Sequence, residues 1–126
     1  MAKLAHIAIV TDNIEATIQT YEALLGVKAG APVNVPDQGV ISAYIPLEGV
    51  GIEIMQPTDP NGGIQKFLDK RGPGIHHMAV SVGDKEKAIT EYENAGVRLI
   101  VGTANGNKSA FIHPKSTGGV LIELGE

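Results

Sequence analysis

The 126-residue chain contains no cysteine. That excludes disulfides, thiolate metal ligands and a cysteine nucleophile, and leaves nitrogen and oxygen as the donors for any metal. Tryptophan is absent too, with only three tyrosines, two phenylalanines and a net charge of −4, so the basic, ring-bearing surface that nucleic acid requires is missing. No stretch approaches the roughly 20 apolar residues of a membrane span, and the opening Met1-Ala-Lys-Leu-Ala-His6 has no apolar signal core. A cytoplasmic chain is expected, with a small-molecule partner and neither nucleic acid nor membrane. Disorder is excluded by composition, since 43% of residues are hydrophobic and 19% charged. The length suits a single small domain.

What the chain does have is an internal repeat. A shift of 71 positions superposes His6 on His77, Ala8 on Ala79, Ile18 on Ile89, Tyr21 on Tyr92 and Glu22 on Glu93. One residue drops out near Leu25, and a shift of 70 then brings Gly26 to Gly96, Val27 to Val97, Ile52 to Ile122 and Glu53 to Glu123. Two related modules are expected, over about 3–56 and 74–126, joined by a linker over 57–73 rich in Pro, Gly, Asn and Asp.

Each module opens with an alternating segment, Leu4–Val10 or Ile75–Val82, that reads as a strand. Asp12 and Asp84 are candidate N-caps of the helices that follow. Those helices are marked by Ile14, Ile18, Tyr21 and Leu25 in one module and by Ala88, Tyr92 and Ala95 in the other, and they end at Gly26 and Gly96. Shorter β-like runs complete the modules: Gly39–Pro46 and Val50–Met55, then Arg98–Val101, Ser109–His113 and Gly119–Leu124. The linker holds a short helical pattern in Ile64, Phe67 and Leu68 that stops at Lys70-Arg71-Gly72. The expected class is α+β: two βαβββ modules edge to edge in a curved, cup-shaped mixed sheet, helices on the outer face and the binding site in the cup.

Strand alternation assigns the faces. His6 shares a face with Ala8, opposite Ile7 and Ile9; His77 shares one with Ile75 and Ala79, opposite His76, Met78 and Val80. Glu53 and Glu123 lie opposite their apolar neighbours, so all four polar side chains are expected to point into the cup. A lone strand histidine is most often a hydrogen-bonded packing residue, and a lone strand glutamate can sit on a solvent-facing edge. Duplication of the His…Glu pair shifts that balance, because a two-fold arrangement gathers four nitrogen and oxygen donors without further assumption. Such a set suits Co²⁺, Mn²⁺, Zn²⁺, Ni²⁺ or Fe²⁺, and an octahedral ion would keep two positions for water or a bidentate ligand.

Six segments resemble the vicinal oxygen chelate superfamily (glyoxalase, bleomycin resistance and dioxygenase proteins), and within it the methylmalonyl-CoA epimerase family. They are His6-Ile-Ala-Ile-Val10, Val35-Pro-Asp-Gln-Gly-Val40, Ile52-Glu-Ile-Met-Gln-Pro57, Lys66-Phe-Leu-Asp-Lys-Arg-Gly72, Gly74-Ile-His-His-Met-Ala79 and His113-Pro-Lys-Ser-Thr-Gly-Gly-Val-Leu-Ile-Glu-Leu124. The resemblance implies that His6, Glu53, His77 and Glu123 hold a divalent metal, Co²⁺ or Mn²⁺ favoured and Zn²⁺ or Ni²⁺ as alternatives. It agrees with the repeat in selecting His77 over His76, which is left to packing or to a hydrogen bond with a ligand. It also exposes a departure: some such epimerases carry a glutamate shortly after Gln-Gly-Val, proposed as a base, whereas Val40-Ile-Ser-Ala43 offers no carboxylate.

The implied activity is that of an isomerase: loss and return of the C2 proton of methylmalonyl-CoA through a metal-stabilised enolate. Glu53 and Glu123 are the expected bases, with Ser42, a water or a metal-bound hydroxide in place of the absent glutamate. The expected CoA contacts are Lys108, Lys115 and Ser116, the last two in the Gly-rich turn Lys115-Ser-Thr-Gly-Gly119, with Phe111 and His113 lining the pocket. A homodimer is expected. The rivals are a glyoxalase-type lyase acting on a glutathione hemithioacetal, an oxygen-dependent dioxygenase, and a non-catalytic small-molecule binding protein of the same fold, which would dispense with the four donors.

Overall fold

The computed structural model describes residues 2–125; Met1 and Glu126, the last residue expected in the second module, lie outside them. In chain order it contains β1 (Lys3–Val10), α1 (Ile14–Leu25), β2 (Val33–Val35), a 3₁₀ turn at Pro36–Gln38, β3 (Val40–Ile45), β4 (Gly51–Pro57), α2 (Gly63–Arg71), β5 (Gly74–Ser81), α3 (Lys85–Asn94), β6 (Leu99–Ala104), β7 (Asn107–Ile112), a 3₁₀ turn at Pro114–Ser116, and β8 (Ile122–Gly125).

The strands form one mixed eight-stranded sheet in the order β2-β3-β4-β1-β5-β8-β7-β6. The order is a palindrome about the β1–β5 seam. Each half has a central strand, its parallel neighbour and an outer antiparallel pair, so β1, β4, β3 and β2 correspond to β5, β8, β7 and β6.

The helices start and stop where backbone groups find partners. Asn13, and not Asp12, caps α1: its Oδ1 accepts from the Ala16 N–H at 3.0 Å, and Gln56 Oε1 accepts from the Ile14 N–H at 2.7 Å. Gly26 ends the helix in the left-handed region, as expected. Asp84 caps α3 through Lys87 N–H at 3.0 Å. Helix α1 covers β3 and β4 on the outer face, burying Ile14 against Ala43, Ile45 and Ile54; α3 does the same with Ile89 against Ala110 and Leu124. Helix α2 packs on the opposite side, where Ile64, Phe67 and Leu68 lie against Ala8, Val10, Val40 and Met55. The linker helix therefore walls one end of the cup.

Two residues interrupt the β1–β5 register. Leu4 pairs with Val80 and His6 with Ala79, leaving Ala5 unopposed; Ala8 pairs with His77 and Ile9 with Ile75, leaving His76 unopposed. Each is a one-residue bulge immediately before a candidate metal histidine, and a shift of 71 carries one onto the other. The bulges correct strict alternation. Ile75 falls in register with Ile9 on the outer face and does not share the inner face with His77.

The ends of the sheet are drawn together. Both carboxylate oxygens of Asp37 accept backbone N–H groups from the β6–β7 turn, Oδ1 from Asn105 and Oδ2 from Gly106, each at 2.8 Å, and the Gln38 amide donates to the Thr103 carbonyl. That turn is a two-residue hairpin with Asn105 at φ 52 and Gly106 at φ 77, the positive-φ pair that Asn-Gly supplies with little strain. Strand β6 runs up to this turn and ends at Ala104, three residues past the expected Val101. Replacing Asp37 with Ala is expected to speed hydrogen exchange of the Asn105 and Gly106 amides while the amides of Ile45 and Ile54 in the core keep their protection, measured by amide exchange NMR.

Candidate metal and active site

The floor of the cup is two rows of side chains. In one, Glu53 on β4, Ala8 on β1 and His77 on β5 stand side by side; in the other, His6 on β1, Ala79 on β5 and Glu123 on β8. Both alanines are buried, and their single methyls leave open the volume into which the longer side chains lean. His6 Nε2 lies 3.7 Å from Glu53 Oε1 and 3.4 Å from Glu123 Oε1, and His77 Nε2 lies 3.4 Å from the same Glu123 oxygen. The donor atoms of His6, Glu53 and His77 fall within 4.8 Å of one another. Beside His6, β4 offers Gly51, and the Tyr44 ring occupies the volume a side chain there would need.

Both Nε2 atoms are buried and have no hydrogen-bond partner. An orphaned buried polar atom costs about 1–3 kcal/mol, and here two of them face two carboxylates. A cation between the four residues would take up both lone pairs and offset the carboxylate charge, so the residues present fit a divalent metal with nitrogen and oxygen ligands.

Charge in the cluster is unevenly distributed. Contact with the Glu123 carboxylate, with help from Glu53, holds His6 above its ordinary value despite burial. Burial alone would raise Glu123, but its contacts with His6 and His77 outweigh that and hold it at about 2. Glu53 goes the other way: desolvation raises it, and His6 and His77 offset this only in part. His76 is pushed down to about 4 by burial and by the neighbouring His77.

Above the donors lies a cavity of about 240 Å³ whose wall includes Gln38, Ser42, Met55, Asn105 and Phe111. A second, of about 280 Å³, shares Gln38, Met55, His77 and Phe111 with it. A third, of about 340 Å³, shares Gly63, His76 and Leu121 with the second and ends among Lys66, Lys70 and Arg71. Together they make a groove from the four donors to a cluster of cations on α2.

The residues singled out from sequence separate into two groups. His6, Glu53, His77 and Glu123 come together, and Ser42 and Phe111 stand in the wall above them, Phe111 edge-on to His77 with ring centroids 5.2 Å apart. The cationic residues fall elsewhere. Lys108 Nζ pairs with Glu86 on α3 at 3.1 Å, and Ser116 Oγ accepts from the Arg98 N–H at 3.0 Å. Lys115 is exposed, and its N–H donates to His113 Nδ1 at 3.0 Å, so His113 caps a turn. From that loop Pro114 and Gly119 line the groove. Lys66, Lys70 and Arg71, spaced i, i+4, i+5 on the linker helix, line the groove and were not among the residues singled out from sequence.

Comparison with known proteins gives the same picture. Residues 5–112 match the family model described as the Glyoxalase/Bleomycin resistance protein/Dioxygenase superfamily. The chain is 36% identical to the mitochondrial methylmalonyl-CoA epimerase of Dictyostelium discoideum, over 100% of this chain and 79% of that protein. It superposes on the crystal structure of methylmalonyl-CoA epimerase from Mycobacterium tuberculosis with a TM-score of 0.86 and 37% identity, covering 96% of this chain and 85% of that one. A methylmalonyl-CoA epimerase solved in complex with methylmalonyl-CoA and NH₄⁺ superposes with a TM-score of 0.87 at 27% identity, covering 98% of this chain and 93% of that one.

Because His6 is held above its ordinary 6.5 in the metal-free cluster, a cation arriving near neutral pH competes with a proton there, while Glu123 stays charged. Metal uptake at about pH 7 is expected to release protons, seen as a calorimetric enthalpy that varies with the buffer's ionisation enthalpy. Affinity is expected to fall as pH is lowered from about 8 to about 5. Proton-neutral uptake with pH-independent affinity would contradict the assignment of these ligands.

Proposed function

Because the chain belongs to the glyoxalase/bleomycin resistance protein/dioxygenase superfamily, and within it to the methylmalonyl-CoA epimerases, we propose that it interconverts the epimers of methylmalonyl-CoA by removing and returning the proton at C2. The observation that carries this reading is a groove with four metal-fitting donors at one end and three cations at the other. A thioester with an adjacent carboxylate suits the first end, and the phosphates of CoA suit the second.

A divalent cation held by His6, Glu53, His77 and Glu123, Co²⁺ or Mn²⁺ in preference to Zn²⁺ or Ni²⁺, would supply the positive charge against which negative charge develops on the substrate's carbonyl oxygen. Both carboxylates line the cavity with Ser42, but one oxygen of Glu123 is shared between both imidazoles, which leaves Glu53 the better placed to take the C2 proton. When the C2–H bond breaks, its electron pair delocalises into the thioester carbonyl and the proton passes to the Glu53 carboxylate. Return to the opposite face falls to a water held by the Ser42 hydroxyl, and the hydroxide left behind takes the proton from Glu53, which restores both groups. Phe111 and Met55 close the cavity around the reacting carbon with apolar surface that limits exchange with bulk water.

Farther out, Lys66, Lys70 and Arg71 take the place of Lys108, Lys115 and Ser116 as the phosphate contacts in this reading. No described helix is long and apolar enough to cross a membrane; the ground for a cytoplasmic placement is the CoA ester itself, an intracellular metabolite class. The ground for a homodimer is the outer face of the β1–β5 seam, between the helices, where Ile75 is 70% exposed.

Incubating the metal-loaded protein with one epimer of methylmalonyl-CoA in deuterated water is expected to place deuterium at C2 and yield the other epimer. No exchange with Co²⁺, Mn²⁺, Zn²⁺ or Ni²⁺ would sink the proposal, and turnover of a glutathione hemithioacetal instead would point to a lyase. Glu53→Gln keeps an oxygen donor and removes the base, so it is expected to retain metal while slowing exchange by about 10²-fold or more. Retained exchange would move the base to Glu123. Lys70→Ala combined with Arg71→Ala is expected to raise KM about tenfold or more with little change in kcat, the pattern of lost uniform binding.

A further inference from the structure

His76 and His77 are consecutive strand residues, and in a regular strand their rings would lie on opposite faces. The bulge at His76 removes that restriction, and the two Nδ1 atoms lie 2.8 Å apart. Two ring nitrogens at that separation share a single proton, one ring donating and the other accepting. The rest of the environment decides the direction. His77 Nε2 is buried, lacks a hydrogen-bond partner and faces Glu123 Oε1 at 3.4 Å within the donor cluster. Without a cation the charged Glu123 carboxylate draws the His77 proton to Nε2; with a cation on Nε2 the single proton of a neutral imidazole sits on Nδ1, and His77 is then the donor and His76 the acceptor.

We propose that His76 is a positioning residue: its Nδ1 accepts the His77 Nδ1–H and so orients the ring and favours the tautomer in which His77 Nε2 offers its lone pair to a cation held with His6, Glu53 and Glu123. This rests on the reading of those four residues as metal ligands. His76 is itself held in place, its ring edge-on to Phe67 of α2 with centroids 4.8 Å apart. The equivalent bulge in the other half carries Ala5, whose methyl side chain cannot accept a proton from His6. The two histidines of the floor are thus alike in geometry and unlike in tautomer control, and His6 serves as an internal reference.

The test is ¹H–¹⁵N correlation of the histidine ring N–H groups in the zinc-loaded protein, read alongside zinc affinity in competition with a chromophoric chelator. In the unaltered chain the His77 Nδ1–H is expected as a slowly exchanging, hydrogen-bonded ring proton; one that exchanges as fast as a free imidazole N–H overturns the proposal. His76→Phe keeps a ring against Phe67 but cannot accept, so the His77 Nδ1–H is expected to exchange faster, the His6 signals to stay, and zinc affinity to fall by about 10- to 100-fold. His76→Asn, with an amide oxygen near the old Nδ1 position, is expected to restore slow exchange and most of the affinity. Unchanged His77 exchange in a folded His76→Phe chain, or equal losses in Phe and Asn variants, overturns it. Because zinc binding and ring-proton exchange are read without substrate, a failed epimerase reading leaves this result standing, and the reverse also holds.

Discussion

Pairing of β1 with β5 is where the two halves of the chain meet, and its register sets what the site contains. Across this seam His6 stands beside Ala79 and Ala8 beside His77, while the parallel neighbours β4 and β8 bring Glu53 next to Ala8 and Glu123 next to Ala79. A slip of one residue would turn every one of these side chains to the other face. Such a slip would place the two histidines among the apolar side chains beneath α1 and α3 and bring Ile7 and Met78 to the floor. The apolar demands of the outer face thus hold the polar floor in place: Ile9, Ile54 and Leu124 are buried or half-buried under the helices, and their packing keeps the register.

The bulges refine this constraint. A continuous ladder would carry Leu4 and Ile75 onto the same face as the histidines two residues on. Leaving Ala5 and His76 unopposed sends Leu4 and Ile75 outward with Val80 and Ile9 and turns only the histidines inward. The floor then holds two imidazoles and two carboxylates with little solvent. Contact between His6 and Glu123 favours the charged form of each, while burial works against the charge on Glu53, and a divalent cation would offset the negative charge of the two carboxylates.

Much of this was legible in the sequence because duplication made it so. The 71- and 70-residue shifts located both modules, and the strand period put His6, Glu53 and Glu123 on the inner face without reference to any other protein. What alternation could not show is the bulge, since nothing in Gly74-Ile-His-His-Met distinguishes an unopposed residue from a paired one; hence Ile75 was placed inward and His76 away from His77. The Asn105-Gly106 dipeptide carries a hairpin signal that the strand pattern alone does not use, and the expected end at Val101 falls short because the exposed Gly102 and Thr103 interrupt the apolar period. The cations that line the groove went unread for another reason. A Gly-rich turn with a lysine is a local pattern, whereas the closeness of α2 to the groove comes from the tertiary packing of Phe67 and Ile64, which no local pattern encodes.

The contacts that draw the sheet into a cup have a second effect, on how the molecule behaves among its neighbours. An open eight-stranded sheet presents two free edges, and unpaired backbone groups along such an edge are a template onto which another chain can add a strand. Here one terminal strand, β2, is three residues long. On the other, β6, the Gln38 amide takes up the carbonyl of Thr103, and Asp37 occupies the N–H groups at the adjoining hairpin tip. The residues that bend the sheet over its site also use up hydrogen-bonding groups through which copies of the chain could join edge to edge into aggregates.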